Sequence, residues 1–503
     1  TRYNGTIDTF FNAEYVDRMR TKQIDENSLV VLYGTGAADA LADVNNEDTL
    51  LIYIDVPKNE IQYRSRAFAF SPLGLNHRLS PKKAYKRMYF VDWPAMLKAK
   101  QALLSHVDIV VDGQHVLSPT FTSGGSLNKM IESACCRPIR ARPWFSPGAW
   151  GGNWLFDMVP QLARNVPNYA WSFELIVPEN GVTFESNGRL LEVSFDSLLL
   201  VDNGKRMLGE ASERFQAEFP IRFDYLDTGG NLSIQVHPSP KFIKEKFGEN
   251  FTQDEAYYIV KTNEDARVYQ GFQKNIDKEK FVDDLNDAVA TGVPLDIEKH
   301  VASWPAKAHD FFLIPHGTIH AGGAGLLILE ISATPYIFTC KLYDWQRVDL
   351  DGQPRPINIE RGVENLDFSR NGDVVPNTLH SKPKKLTEGE NYVQYHLPTH
   401  PVQFYDVHRY DLRVGARILL DTECRQCHCW NLVEGEQVLF EEVGSHQALV
   451  KFGESWVVPA ATGQYVVTND SGSDAVLLKV FVKSDRCAKD CDDVEMAKKT
   501  NTK

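Results

Sequence analysis

The chain has 503 residues, 43% hydrophobic and 24% charged, with a formal net charge of −13 at pH 7. That length exceeds one ordinary core, so two to three domains are expected. The acidic balance argues against a nucleic-acid partner but permits small phosphorylated ligands, which need only a local basic pocket.

No apolar run approaches the length of a membrane span and no signal-peptide pattern opens the chain, so no membrane partner and a cytoplasmic location are expected. The chain starts at Thr1 rather than Met, so a trimmed leading segment is also expected. Eight cysteines are too few for a disulfide scaffold. Cys424-Arg-Gln-Cys-His-Cys429 has zinc-like spacing, but positions 427 and 429 alternate as on a strand and no second pair follows at finger spacing. Reduced thiols are the expectation, with Cys487 and Cys491 solvent-exposed in a charged tail.

Residues 1 to about 28 read as a polar helical lead-in. Ser28–Gly36, Thr49–Asp55 and Val107–Asp112 read as strands, with a helix over Pro94–Ser105, which predicts a small α/β unit with a parallel sheet over 1–138. Gly34 and Gly36 lack the following Gly-Lys-Ser/Thr of a phosphate loop, and Lys82, Lys83, Lys86 and Arg87 read as a solvated face. A Pro- and Arg-rich boundary, Arg137–Gly148, leads to Ala149-Trp-Gly-Gly152.

Short alternating runs follow, separated by turn residues as in a β-barrel or sandwich: Tyr169–Val177, Leu190–Val201, Glu218–Tyr225, Leu232–His237, Tyr257–Lys261 and Ala266–Gln270. A helical insertion at about 277–305 interrupts them, its apolar face set by Phe281, Leu285, Ala288 and Val289. Strands resume over Asp310–Pro315, Gly325–Ile331 and Tyr336–Tyr343. Residues 365–390 read as a linker, 391–483 as a second β unit, and 484–503 as a charged tail.

Leu232-Ser-Ile-Gln-Val-His-Pro238 puts Ser233, Gln235 and His237 on one strand face. Glu255 begins a later strand, and His320 ends the turn Ile314-Pro-His-Gly-Thr-Ile-His320. Two imidazoles, a carboxylate and an amide oxygen suit zinc or another divalent first-row ion better than calcium. Spacing alone leaves open a hydrogen-bonded polar face instead.

These stretches resemble the metal-binding signature of class I mannose-6-phosphate isomerases, zinc enzymes of the cupin superfamily. Ala149-Trp-Gly-Gly152, Leu329-Glu-Ile331 with Tyr343-Asp-Trp-Gln-Arg347, and Val457-Val-Pro-Ala-Ala-Thr-Gly463 are similar to further motifs of that family. The resemblance spans roughly 140–482 and implies an N-terminal α/β unit ahead of a double β-barrel (cupin) body. The first cupin, 139–364, would hold zinc on Gln235, His237, Glu255 and His320 and act on a sugar phosphate.

Two departures bear on activity. Gln253 stands where the family has a lysine, and Lys341 where it has an arginine. Glutamine is no base, and lysine lacks the planar fork of arginine. Lys341, Lys241 and Glu330 are therefore the candidate catalytic groups, with Glu330 alternatively a buried partner of a nearby base and Lys241 a surface residue. Ser233, Trp150 and Arg347 are candidate substrate contacts; Trp150 and Tyr257 would shape the pocket, and Arg347 and Arg355 would fix the Tyr-Asp-Trp turn or bind phosphate. His316 is expected to orient its loop. His396, His400 and His408 lack matching Gln or Glu partners, so the second cupin is expected to hold no metal. A decayed cupin that only binds a sugar or partner is the rival reading.

Overall fold

Most of the strands this chain forms pair antiparallel. The computed structural model describes residues 1–22, 27–41, 44, 46–442 and 447–487. The chain divides into two compact units, one of residues 1–134 with 178–203, the other of 135–177 with 204 onward. The expected continuous N-terminal unit thus also takes in a later segment.

In the first unit Ile52–Asp55 runs parallel to Ile109–Asp112, and Phe121–Ser123 joins antiparallel. Helices Lys58–Arg66, Trp93–Leu103 and Gly124–Ala134 accompany the sheet. The expected strand at Ser28–Gly36 does not form. Its apolar residues have no sheet to pair with: Leu29 and Tyr33 are each 91% exposed.

The late segment is a hairpin, Gly181–Ser186 with Arg189–Ser194. Asn187 and Gly188 turn it, both at positive φ (52° and 72°), which matches strand twist in a two-residue turn. The expected strand Leu190–Val201 is corrected here, since after Ser194 the chain turns into the short helix Ser197–Leu200. The hairpin reaches the carboxyl ends of the parallel strands. Ser194 N donates to Asp55 (2.6 Å) and Glu192 N to Asp112 (3.0 Å). Asp55 and Asp112 pair across the sheet at the strand ends, where ligands of open α/β sheets usually sit. Here protein groups take those carboxylates.

The second unit holds four larger sheets. A seven-stranded sheet includes Ile221–Thr228, Glu255–Thr262 and Leu326–Ala333, and a five-stranded sheet includes Ile234–Val236, His320–Gly322 and Cys340–Tyr343. Both contribute to one apolar core, with Ile234, Val236, Leu342, Ile259 and Ile328 at 0% exposure. Helix Lys278–Thr291 adds Phe281, Leu285 and Ala288 to it. Asp277 caps its start by accepting from Lys280 N (3.0 Å), and Gly292 ends it at φ 71°. Val289 instead is 54% exposed, and the expected helical insertion to 305 is corrected: beyond the helix come a short 3₁₀ turn, Ile297–Lys299, and the strand Val301–Pro305, which pairs with Arg267–Phe272.

A six-stranded and a four-stranded sheet follow, sharing a second core around Tyr410, Trp430, Phe440 and Tyr465. The expected linker at 365–390 is corrected: it folds. Helix Val374–Thr378 buries Val375, His380–Ser381 pairs with Phe311–Phe312, and Lys384–Gly389 pairs with the next strand. Polar composition misled because these are edge strands, exposed on one side. Cys427 and Cys429 are buried thiols, Cys424 is exposed, and Cys487, expected in solvent, is buried. Cys491 lies outside the described residues. Among the described residues no helix is long and apolar enough to cross a membrane.

Burial, reinforced by Lys382 near His380 and by Arg370 near His400, pushes both imidazoles down to about 4. A histidine depressed below its unfolded value of about 6.5 takes up its proton more readily once unfolded. Its stabilisation is complete above that value and lost as pH falls toward 4. We expect the urea midpoint to drop between pH 7 and pH 4.5, and His380→Phe to shrink the drop. Identical pH profiles for variant and wild type would reject that assignment.

Candidate metal centre

Glu255 is the buried pivot of the site, at 0% exposure. It opens strand Glu255–Thr262, whose neighbours place Glu255, Ser332 and Arg222 in one row and Tyr257, Glu330 and Asp224 in the next. Residues opposite each other, and those two apart, share a sheet face. That face is therefore polar inside an otherwise apolar strand set.

Two histidines converge on the carboxylate. His237 Nε2 lies 3.1 Å from Glu255 Oε2, and His320 Nε2 lies 2.8 Å from Oε1. Each ring is oriented through its other nitrogen, His237 Nδ1 at 3.3 Å from the Phe338 carbonyl and His320 Nδ1 at 2.9 Å from that of Thr318. Gln235 sits opposite His320 on the adjacent strand, its amide nitrogen 3.2 Å from His320 Nε2.

His237 Nε2 and Glu255 Oε1 are buried yet form no hydrogen bond of good geometry despite these short separations. Groups that approach without bonding to one another are oriented for a third partner. The donor set, two imidazoles with a carboxylate and an amide, fits a divalent first-row cation.

The surroundings hold charges in place. Burial works to raise the Glu255 carboxyl, but the imidazoles of His237 and His320 outweigh it and hold the group well below the usual carboxylate range. Glu330 goes the other way: burial and its acidic neighbours Glu255 and Asp224 outweigh Arg222 and push it well up. Asp224 is raised to about 6, chiefly by burial and against the pull of Arg222. Arg222 bridges Asp224 and Glu330, and Ser332 Oγ donates to Glu330 (3.1 Å). Glu330 is thus a partner of a buried guanidinium.

Lys341 pairs with Gln235 on the next strand, so its side chain leaves the same sheet face. Gln253 is buried and donates to Glu255 Oε2 at 3.1 Å. Lys241 stands apart in the first turn of helix Pro240–Phe247, 76% exposed and 4.0 Å from Glu245. Ser233 Oγ donates to Asp344 (2.9 Å), and Arg347 holds Asp344 (2.6 Å) and the Asn231 carbonyl. Arg355 lies 3.3 Å from Ser233 Oγ and 3.5 Å from Asp344. Arg347 and Arg355 therefore fasten the Tyr-Asp-Trp turn to the Gln235 strand. Trp150 packs edge-on against Trp171, 4% exposed.

Four groups escaped the sequence reading. Asp254 accepts from His316 N (2.7 Å) and Nδ1 (2.8 Å) and so fixes the turn before His320. Arg370 donates to the carbonyls of Pro315 (2.9 Å) and His316 (2.6 Å) in that turn. Arg222 and Asp224 were legible as charges two apart in an apolar strand; Arg370 lay in the supposed linker and gave no signal.

Fold and site together define a protein of paired β-sheets with a buried histidine–carboxylate centre between two of them. The probable mannose-6-phosphate isomerase GmuF of Bacillus subtilis is 32% identical over 228 residues, 45% of this chain and 67% of its own length. The chain belongs to the mannose-6-phosphate isomerase family, a family of isomerase enzymes. Mannose-6-phosphate isomerase ManA of B. subtilis is 24% identical over 330 residues, 65% of this chain and 95% of that one. The crystal structure of the B. subtilis mannose 6-phosphate isomerase shares the fold, with a TM-score of 0.55 at 20% identity, covering 68% of this chain and 99% of the other. Residues 1–135 match a different model, a domain of unknown function (DUF8485).

Proposed function

We propose that the protein interconverts mannose 6-phosphate and fructose 6-phosphate, or a closely related sugar phosphate pair, with zinc held by Gln235, His237, Glu255 and His320 in the first of two cupin barrels. The observation that carries this reading is the convergence of two oriented imidazoles on one buried carboxylate. A divalent ion there supplies Lewis-acid polarisation of the sugar's carbonyl and hydroxyl oxygens.

The chain must supply the proton traffic between C1 and C2. Gln253 cannot, and its bond to Glu255 makes it an anchor for that carboxylate. Glu330 is committed to Arg222 and positions the face around Glu255. Lys341 shares the face of Gln235 and is the group proposed to meet the substrate, as base or as phosphate contact. Lys241, exposed in the turn after His237, is the second candidate. Ser233, Arg347 and Trp150 serve the substrate by fixing the strand, turn and wall that face it.

Lys341→Met is expected to lower kcat by about 10²–10⁴-fold, the usual worth of a positioned acid–base group, with bound metal unchanged. Steady-state assays with elemental analysis check this. The reading as a whole is tested by following exchange of the C1/C2 protons on hexose phosphates by NMR. Purified protein that retains its metal yet catalyses no exchange would overturn it and leave a sugar-binding role.

A further inference from the structure

The second β region carries its own version of the donor set. Gln394-Tyr-His396 repeats the Gln-x-His spacing of Gln235-Val-His237. Antiparallel pairing sets His396 directly opposite His408, and Asp406 lies two residues before His408 on the same strand face. His396 Nε2 is 2.9 Å from both carboxylate oxygens of Asp406. Gln394 Nε2 is 3.0 Å from His408 Nδ1, much as the Gln235 amide touches His320. One ligand atom from each of His396, Asp406 and His408 lies within 4.8 Å of the others, as for His237, Glu255 and His320.

We propose a second divalent-metal site on His396, Asp406 and His408. The expectation that these histidines lack partners was mistaken: Asp406 and Gln394 are the partners, hidden because the carboxylate is an aspartate and comes from the neighbouring strand. Two imidazoles and a carboxylate form a borderline N/O set suited to zinc or cobalt. The site differs from the first in depth. The His396 and Asp406 side chains are 28% and 20% exposed, against 1% each for His237 and Glu255. Lys479 stands opposite His408 on the adjoining strand and opposes a cation there. The second site therefore binds more weakly and exchanges faster. It does not rest on the isomerase reading, and its test uses no activity.

The experiment is equilibrium dialysis of tag-free, chelator-stripped full-length protein against buffered free zinc, with bound metal counted by elemental analysis. Wild type is expected to bind one ion tightly and a second at higher free zinc. The double variant His396→Ala/His408→Ala should keep only the tight ion, and His320→Ala should keep the weak one. Asp406→Asn, which preserves shape, should weaken the second ion about 10-fold or more. Circular dichroism confirms that each variant is folded. Saturated wild type that binds no more metal than the folded double variant overturns the proposal.

Discussion

His320→Ala is expected to lower kcat/KM for hexose-phosphate isomerisation by about 10³-fold or more, since Lewis-acid stabilisation of the developing charge is worth several kcal/mol. The same change should abolish metal binding at the proposed centre. His320 is fully buried, with its Nε2 turned toward Glu255 and its Nδ1 held at the Thr318 carbonyl. Gln235→Ala should be milder, because a neutral amide contributes less to the ion than an imidazole does. Parallel kinetics and elemental analysis decide the matter. Activity that persists in a metal-free His320→Ala protein would separate catalysis from this centre.

Lys100→Met is expected to destabilise the protein by about 3–5 kcal/mol, the range for breaking one partner out of a buried ion pair. Lys100 lies between Asp55 (3.3 Å) and Asp196 (2.8 Å), all three side chains 6–8% exposed. Without it Asp55 keeps only hydrogen bonds from Ser194, whereas Asp196 keeps Lys58 at 2.5 Å. Adding Asp55→Asn to the variant should recover part of the loss by removing the stranded charge. Chemical denaturation of the single and double variants measures both effects; a single variant as stable as wild type would reject the account. The acid response has a definite sign. Burial works to raise Asp196, but Lys100 and then Lys58 outweigh it and hold its carboxyl far below the normal range. A depressed carboxyl stabilises the fold above its unfolded value of about 3.9 and loses that contribution as pH falls below it. This loss lies below the window in which His380 and His400 titrate.

The same network occupies the strand ends of the first unit. Its parallel strands end in two aspartates, the position where α/β sheets offer groups to ligands. Backbone amides of the 178–203 hairpin and the ammonium of Lys100 occupy them instead. At these two strand ends the carboxylates hold protein to protein.

Much of the fold was legible in the chain because it depends on neighbours in sequence. Apolar runs located Ile52–Asp55 and Ile109–Asp112, strand alternation located the Gln235–His237 face, and 3.6-residue periodicity located helix Lys278–Thr291. The four converging site residues could be singled out because a strand puts alternate side chains on one face and because their motifs matched a known family. The failures are all cases in which partners decide. Ser28–Gly36 has the apolar run of a strand but has no sheet edge to join. Residues 365–390 look like a linker but find edges at Phe311 and Tyr392.

The sequence by itself determined the donor types and their strand spacing, since residue identity and a period of two are local properties. Only the tertiary structure decided what those donors meet. It turned Gln253 into an anchor for Glu255, tied Glu330 to Arg222, and left Lys241 in solvent. It also drew Asp406 and Gln394 round His396 and His408, through a cross-strand register that no single stretch of chain encodes. Charges and ligands act over a few ångströms in space, and strand pairing sets those distances.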